Sequence, residues 1–197
     1  MVIGERFVWG HLQKTGGDAT SAMFHLFPHL IQFADPVDTN EKHCSFSSRA
    51  DQIEGKVLAA NFRQLPSWVL SWAHHRVHHS NLIGKPMPLE SARTMAGVPR
   101  ADWLLSALTD GGRVHVDRWL RQDRLVEEFL GFVSEFTDVD DQDRRRVVEL
   151  GSVNALQYDR DPRHWFTDRQ IKRMYEQNPL WSAVERQVFG GLLLERD

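Results

Sequence analysis

The sequence has little of several features that would assign it to a particular class of protein. Cys44 is the only cysteine, so an internal disulfide bond is impossible and a reducing compartment is expected. The sequence shows no basic and then apolar signal and no run of about 18 apolar residues, the length that crosses a membrane. The net charge of −3 argues against broad adhesion to nucleic acids or membranes. These absences predict a cytoplasmic protein that has neither a nucleic-acid partner nor a membrane partner.

The composition that remains is that of an ordinary globular protein. Hydrophobic residues make up 41% of the chain and charged residues 26%, proportions that are typical of soluble domains. The 197 residues are enough for one substantial hydrophobic core and few for two domains. We therefore predict a single domain over residues 1–197.

The most informative stretch, residues 7–23, reads as a strand, a glycine turn and a helix in succession. Residues 7–9 (Phe-Val-Trp) favour a buried strand, and residues 13–17 carry the turn with two glycines. Asp18 or Thr20 is expected to cap the helix that follows. Backbone N–H groups and the positive end of the helix dipole attract anions at such a junction. This order of elements predicts a phosphate-binding loop.

The order of residues in the turn separates it from a nucleotide P-loop. The Walker pattern places Lys-Ser/Thr after its second glycine, whereas Lys14 and Thr15 precede both glycines of this turn. A strand followed by His-x-x-Lys-Thr-Gly-Gly, beginning at His11, resembles the 5′-phosphosulfate loop of the PAPS-dependent sulfotransferases, most closely their carbohydrate-type branch. PAPS, 3′-phosphoadenosine 5′-phosphosulfate, is the activated sulfate donor. The resemblance implies an α/β fold with three layers, α/β/α, and a central, mainly parallel sheet like that of P-loop NTPases.

A second motif lies at the end of the next predicted strand, Val57–Phe62. Arg63 follows this strand directly, and Ser71 comes eight residues later, about two turns into a helix that starts near Pro66. Sulfotransferases carry an arginine and a serine with this spacing, and together the two side chains hold the 3′-phosphate of the donor. The resemblance therefore implies that Arg63 and Ser71 bind the 3′-phosphate, the arginine through its fixed fork of donors.

The resemblance also implies roles within the glycine turn. Lys14 would place its ammonium on the bridging oxygen as PAP leaves, while backbone N–H groups and two threonine hydroxyls hold the 5′-phosphosulfate. The residues expected to bind the donor there are Lys14, Thr15, Gly16, Gly17, Asp18, Ala19 and Thr20. Asp18 and Ala19 depart from the family, which usually has Gly-Thr-Ser after the first glycine. A carboxylate at this place faces an anionic ligand unfavourably.

A general base is needed because the acceptor hydroxyl loses a proton during in-line sulfuryl transfer. Histidine accepts a proton near neutral pH, and several carbohydrate sulfotransferases have a histidine between the first helix and the arginine-bearing strand. His43 lies in that interval and is the first choice, and Glu41 and His11 are lesser candidates.

A late basic loop closes over the 3′-phosphate and adenine in the family. The corresponding stretch here, residues 151–166, contains Arg160 and Arg163, and either of them could fill this role because no motif distinguishes them.

A histidine cluster follows the second motif. His74 and His78, and likewise His75 and His79, lie one helical turn apart, a spacing that suits a divalent ion. No third ligand is marked, so we expect no metal, and a solvated helix end is the preferred interpretation.

The remaining chain is expected to supply further elements of an α/β fold. Strands are predicted at residues 30–34 and 114–120, helices at 101–108 and from 121 onward, a loop bordering the acceptor site at 81–99, and a capping box at 167–170.

The sequence as a whole predicts a sulfotransferase that moves a sulfuryl group from PAPS to a hydroxyl-bearing small molecule or carbohydrate and releases PAP. The acceptor is a sugar, a small alcohol or a phenol, and the slightly acidic chain favours a small or neutral one. Three alternatives stay open: a small-molecule kinase that uses ATP and Mg²⁺ with an atypical loop, a degenerate sulfotransferase fold that only binds a partner, and a metal carrier built on the histidine cluster.

Overall fold

The computed structural model describes residues 1–36, 38–79, 100–151, 153 and 156–196, with the backbone alone described for residues 77–79. The strands are β1 (Val2–Ile3), β2 (Phe7–Gly10), β3 (Phe33–Ala34), β4 (Val57–Phe62) and β5 (Arg118–Arg121). The α-helices are α1 (Gly17–Phe24), α2 (Ala50–Ile53), α3 (Leu65–His79), α4 (Arg100–Leu108), α5 (Leu125–Val133), α6 (Asp141–Leu150), α7 (Pro162–Trp165), α8 (Asp168–Gln177) and α9 (Pro179–Phe189). Shorter 3₁₀ turns include Pro28–Leu30, Asn40–His43, Phe46–Arg49 and Gln122–Arg124.

The five strands form one sheet in the order β3-β1-β2-β4-β5. Strand β4 pairs in parallel with β2 and with β5, whereas β1 runs antiparallel to both of its neighbours. The interior strand β4 is apolar and buried along most of its length, as expected of a parallel strand with a neighbour on each side. The predicted α/β class with a mainly parallel sheet is confirmed. The more specific three-layer, P-loop-like sulfotransferase fold stays a prediction.

The described residues fall into two compact units. The first unit lies within residues 1–62 and 106–155, and the second within residues 63–105 and 156–197. The sheet, α1, α5 and α6 belong to the first unit, and α3, α7, α8 and α9 belong to the second. The prediction of a single domain stays a prediction.

The first unit is held together by aromatic side chains between the sheet and its helices. The ring of Phe7 on β2 stacks on Phe24 of α1 at 5.5 Å, and Phe24 meets Phe129 of α5 edge-on at 5.0 Å. All three side chains are fully buried, and each contributes about 1.5–3 kcal/mol by leaving water. This packing joins the start of β2 to the end of α1, at the ends of both elements that lie away from the glycine turn.

The second unit is built around α3 and α9. Trp68 of α3 packs on Trp181 of α9 with 5.3 Å between ring centroids. The carboxylate of Asp102 accepts hydrogen bonds from the N–H groups of Leu180 and Trp181, at 2.9 and 2.7 Å. It thereby accepts from N–H groups in the first turn of α9 that have no partner within the helix, and its negative charge interacts favourably with the positive end of the helix dipole. Trp181 also donates its indole N–H to the carbonyl of Arg63 at 2.9 Å, which anchors the start of α3.

Most predicted elements are present, with three corrections. The helix expected from residue 121 onward begins at Leu125, because Arg121 is the last residue of β5 and a 3₁₀ turn follows it. The strand expected at residues 30–34 is reduced to β3, because Pro28 begins a 3₁₀ turn that runs to Leu30. The strand expected at residues 114–120 begins only at Arg118, because the preceding residues follow a turn after α4 and are not paired in the sheet. The capping box of Thr167 and Gln170 is confirmed.

Three further outcomes complete the comparison of the predicted elements with the structure. The stretch 81–99, predicted as a loop, lies outside the described residues. Strand β1 was not predicted. None of the helices within the described residues is both long enough and apolar enough to span a membrane.

Candidate functional site

The predicted phosphate-binding loop joins the end of β2 to the start of α1, in the first unit. Two of its residues have left-handed backbone, Lys14 with φ 64° and Gly16 with φ 93°. Glycine adopts this conformation without strain, whereas a lysine with a positive φ is uncommon and is held there by its surroundings. Gly16 is the N-cap of α1, so the predicted caps, Asp18 and Thr20, are wrong. Asp18 lies in the first turn because the glycine starts the helix earlier.

A buried asparagine of the neighbouring strand holds this loop in place. Asn61 of β4 accepts a hydrogen bond from the Trp9 indole N–H at 3.0 Å, and donates to the Thr15 carbonyl at 3.2 Å and the Thr20 hydroxyl at 2.7 Å. Its side chain is fully buried, so each of these bonds forms away from competing water. The sequence analysis missed Asn61. The available signal was a single polar residue within the otherwise apolar β4.

The two threonine hydroxyls predicted to hold the phosphosulfate donate within the loop itself. Thr15 donates to the Leu12 carbonyl at 2.8 Å, and Thr20 donates to the Gly16 carbonyl at 3.3 Å. A hydroxyl has one proton to donate, so in this arrangement the backbone N–H groups are the donors that an anion would meet. The direct role of Thr15 and Thr20 in donor binding stays a prediction.

The second glycine of the loop is required by a close neighbour. A Cβ atom at Gly17 would overlap the imidazole of His11. His11 is buried next to this glycine, and burial together with the neighbouring His43 lowers its pKa to about 3. His11 is therefore neutral at pH 7. Its role as an alternative base is weakened because its ring is enclosed.

His43 is positioned by the backbone of His11. Its Nδ1 lies 3.1 Å from the His11 carbonyl, and the two rings meet edge-on at 4.5 Å. A carbonyl only accepts hydrogen bonds, so Nδ1 is the protonated nitrogen and the lone pair of neutral His43 lies on Nε2. Burial lowers the pKa of His43, which keeps it neutral near pH 7. These are the properties of a general base, and the catalytic role stays a prediction.

The misfit residue Asp18 is paired with a cation. Lys42 donates to the Asp18 carboxylate at 2.9 Å, and the Nε2 atom of His11 lies 4.0 Å from the same oxygen. Lys42 belongs to the turn Asn40–His43 and immediately precedes the predicted base. The remaining base candidate, Glu41, lies in that turn with an exposed side chain.

In the second unit, two predicted residues lie close to each other. Burial lowers the pKa of the Arg63 guanidinium. The charge interaction and the hydrogen bond with Tyr158 raise this pKa, and the nearby charge of Arg160 lowers it. Tyr158 in turn stacks on His74 of α3, with 4.0 Å between ring centroids. A bound anion would stabilise a buried guanidinium that has a second, exposed arginine nearby. Tyr158 was not singled out by the sequence analysis.

Ser71 and Arg163 are the other two residues of the second unit that were predicted to bind the donor. Ser71 is half-buried on α3, one turn before His74. Arg163 is exposed in the first turn of α7, where its N–H donates to the Asp161 carboxylate at 2.9 Å. Roles for Ser71 and Arg163 in binding the 3′-phosphate stay predictions.

Only part of the histidine cluster has side chains that the structure describes. His74 is buried between Tyr158 and Trp165, while the side chains of His78 and His79 lie outside those that are described. Within the described part of the chain, no three His, Cys, Asp or Glu side chains are grouped so that they could hold a metal ion.

Comparisons of the chain with protein-family models, with curated proteins and with solved structures found no match.

Proposed function

We propose that this protein transfers a sulfuryl group from PAPS to an acceptor hydroxyl and releases PAP. The observation that supports this most is that a glycine turn at a helix N-terminus and a neutral histidine lie in the same unit. His43 has its Nδ1 proton directed to the His11 carbonyl and is therefore left with a basic Nε2. The His11 imidazole lies against Gly17, at the start of α1, and also against the ring of His43, so His11 connects the predicted base with the predicted anion site.

In the proposed reaction the acceptor oxygen attacks sulfur in line with the bond to the bridging oxygen. The S–O bond to the acceptor forms as the S–O bond to PAP breaks, and the acceptor proton passes to Nε2 of His43. The leaving oxygen gains negative charge, which the Lys14 ammonium and the N–H groups at the start of α1 stabilise. Since Asn61 and the two threonines fix the loop before any ligand arrives, little reorganisation is needed when this charge develops.

The 3′-phosphate of the donor is proposed to bind to Arg63 and Ser71 in the second unit. The proximity of Arg160 to Arg63 favours Arg160 over Arg163 as the additional late-loop cation. A phosphate would relieve the repulsion between the two guanidinium groups and provide the acceptors that buried arginine donors require.

Ligand binding separates this proposal from the ATP-dependent alternative. We expect PAP to raise the Tm, by the equivalent of about 2.7 kcal/mol at a hundredfold excess over its dissociation constant, and Mg-ATP to have little effect. Stabilisation by Mg-ATP without stabilisation by PAP would refute the sulfotransferase proposal in favour of a kinase. Stabilisation by PAP without PAPS consumption across a panel of sugars, alcohols and phenols would indicate a binding protein.

The base is tested by His43→Ala. We expect the rate of transfer to fall about 10²–10⁴-fold, the usual contribution of general-base catalysis, while PAP still binds. His43→Gln is the matched control for structure, because its amide can still donate to the His11 carbonyl but cannot take the proton. Unchanged turnover in both variants would remove His43 from the reaction.

A further inference from the structure

Asp18 is the residue of the loop that suits an anionic ligand least, yet its side chain has a defined partner. The carboxylate lies 2.9 Å from the Lys42 ammonium and 4.0 Å from Nε2 of His11. Lys42 and His43 are consecutive residues, so the ion pair connects the first turn of α1 to the segment that carries the predicted base.

We infer that Asp18 and Lys42 form a positioning pair, which places His43 for proton transfer and neutralises the carboxylate beside the bound sulfate donor. The inference rests on the proposed function and adds to it two residues that act through His43.

The segment bearing His43 is attached to the loop region at two points. One is the hydrogen bond from His43 Nδ1 to the His11 carbonyl, and the other is the Lys42–Asp18 ion pair. The side chain of the N-cap residue Thr39 does not cap the turn Asn40–His43, and instead donates to the Pro36 carbonyl at 3.1 Å. Two attachments on consecutive residues restrict both the translation of the turn and the rotation of the imidazole. With the ion pair removed, the turn keeps the His43 hydrogen bond and the one that the Met1 amino group donates to the Lys42 carbonyl at 3.2 Å, but it loses its contact with α1.

The pair acts on position and charge rather than on overall stability. The Asp18 side chain is 39% exposed, and ion pairs that are this accessible to water stabilise the folded state very little. Loss of the pair should therefore leave the fold intact. Catalysis is more sensitive, because a misplacement of about 1 Å in a reacting group can cost 10²-fold in rate.

The charges that face His43 come from several elements and have opposite effects. The carboxylate of Asp18 on α1 raises the pKa of His43, whereas the Lys42 ammonium in the same turn and the amino group of Met1 before β1 lower it. His11, at the end of β2, is neutral and supplies only its carbonyl. Removing Asp18 should therefore lower the pKa of His43, and removing the charge of Lys42 should raise it.

The test uses Asp18→Asn and Lys42→Gln, which keep the approximate size of each side chain. We expect each variant to lower kcat with PAPS roughly 10- to 100-fold at pH 7. PAP should bind to Asp18→Asn as tightly as to the parent or more tightly, since a negative charge near the phosphates has been removed. Lys42→Arg keeps the ion pair and should retain most of kcat. Asp51→Asn removes an exposed charge from α2 in the same unit and should change nothing.

A titration of His43 by NMR, with its signal assigned from the His43→Gln variant, gives a readout that does not depend on turnover. We expect the pKa of His43 to move down in Asp18→Asn and up in Lys42→Gln, and the acidic limb of the kcat profile to move with it. A general loosening of the turn would instead expose the imidazole and raise the pKa in both variants, and that result would overturn the inference.

Two other outcomes distinguish this inference from the function on which it rests. A faster Asp18→Asn enzyme would mean that the carboxylate only repels the donor, which would overturn the inference and leave the sulfotransferase proposal standing. Absence of PAP binding and of PAPS turnover in the parent protein would refute the proposed function. In that case a pKa of His43 that moves in opposite directions in Asp18→Asn and Lys42→Gln would still support the pair as one that positions this histidine. A pKa that moves in the same direction in both variants would refute this role.

Discussion

The two predicted anion sites are built in different ways. In the first unit, the loop that starts α1 is fixed by short hydrogen bonds among buried groups, with Asn61 joining Trp9, Thr15 and Thr20. In the second unit, the Arg63 guanidinium is shielded from water near another cation and has a phenol as hydrogen-bond partner. The first site is rigid without a ligand, as electrostatic stabilisation of a transition state requires. The second keeps unfavourable charge repulsion that a bound phosphate would remove, as suits ground-state binding.

Among the substitutions that test the difference between the two sites, the largest effect, on the rate of transfer, is expected at Lys14. Lys14→Ala removes the ammonium and should reduce transfer about 10²–10³-fold at saturating PAPS. Lys14→Gly removes the same ammonium and also the strain of a left-handed non-glycine residue, about 1–3 kcal/mol. Transfer rates and urea unfolding of both variants provide the measurement. If both variants lose the same rate and Lys14→Gly is the more stable, the loss of rate is due to the missing ammonium. If Lys14→Gly recovers the rate of the parent, a catalytic role for Lys14 is contradicted.

The rigidity of the loop is tested at Asn61. Asn61→Asp keeps an acceptor for Trp9 but loses both donated hydrogen bonds and places a carboxylate against the Thr15 carbonyl. We expect the free energy of unfolding to fall by roughly 3–5 kcal/mol, because a buried charge is left without a partner. Denaturant unfolding at neutral pH measures the loss. Partial recovery at low pH, where the carboxyl is protonated and can donate again, would confirm the cause, and a loss that does not depend on pH would contradict it.

The two units are also expected to respond to pH in opposite directions. In the second unit, Glu185 accepts hydrogen bonds from the N–H of Leu65 and the hydroxyl of Tyr175, and burial raises its pKa to about 7. The folded state then holds a proton that the unfolded state releases, so stability falls as the pH rises from about 4.5 to about 7, by roughly 3 kcal/mol. In the first unit the lowered pKa of His11 makes stability rise between about pH 3 and 6.5.

Hydrogen exchange resolved by residue measures these opposite trends in one experiment. Glu185→Gln should remove the fall in protection of the second unit between about pH 4.5 and 7 and leave the pH dependence of the first unit unchanged. Glu185 accepts one hydrogen bond on each carboxyl oxygen, whereas glutamine keeps only one acceptor oxygen and its amide nitrogen is a donor, so the variant should also be less stable than the parent at pH 5. A second unit that still loses protection between pH 4.5 and 7 in this variant would mean that another group is responsible.

Much of the fold followed from local patterns, and much of the site did not. The apolar run of β4 and the residues that flank it predicted the bounds of this strand correctly and the start of α3 to within one residue, because burial and helix starts leave strong local signals. The glycine turn after β2 was likewise predicted from its residues. The partners of Asn61, Asp18 and Tyr158 were not, because each lies at least 24 residues away from the side chain it meets. Spacing along the chain carries no information about such contacts until the strand order is known.

The smallest effect is expected from substitution of Tyr158, which tests the second site in the absence and in the presence of PAP. Tyr158→Phe retains the stack on His74 and removes the hydroxyl that is hydrogen-bonded to Arg63. We expect a loss of roughly 1–2 kcal/mol in the absence of ligand. With saturating PAP the difference from the parent should shrink, since the 3′-phosphate provides new acceptors for the guanidinium. Melting curves of both proteins with and without PAP test this directly, and a difference that PAP leaves unchanged would place the phosphate away from Arg63.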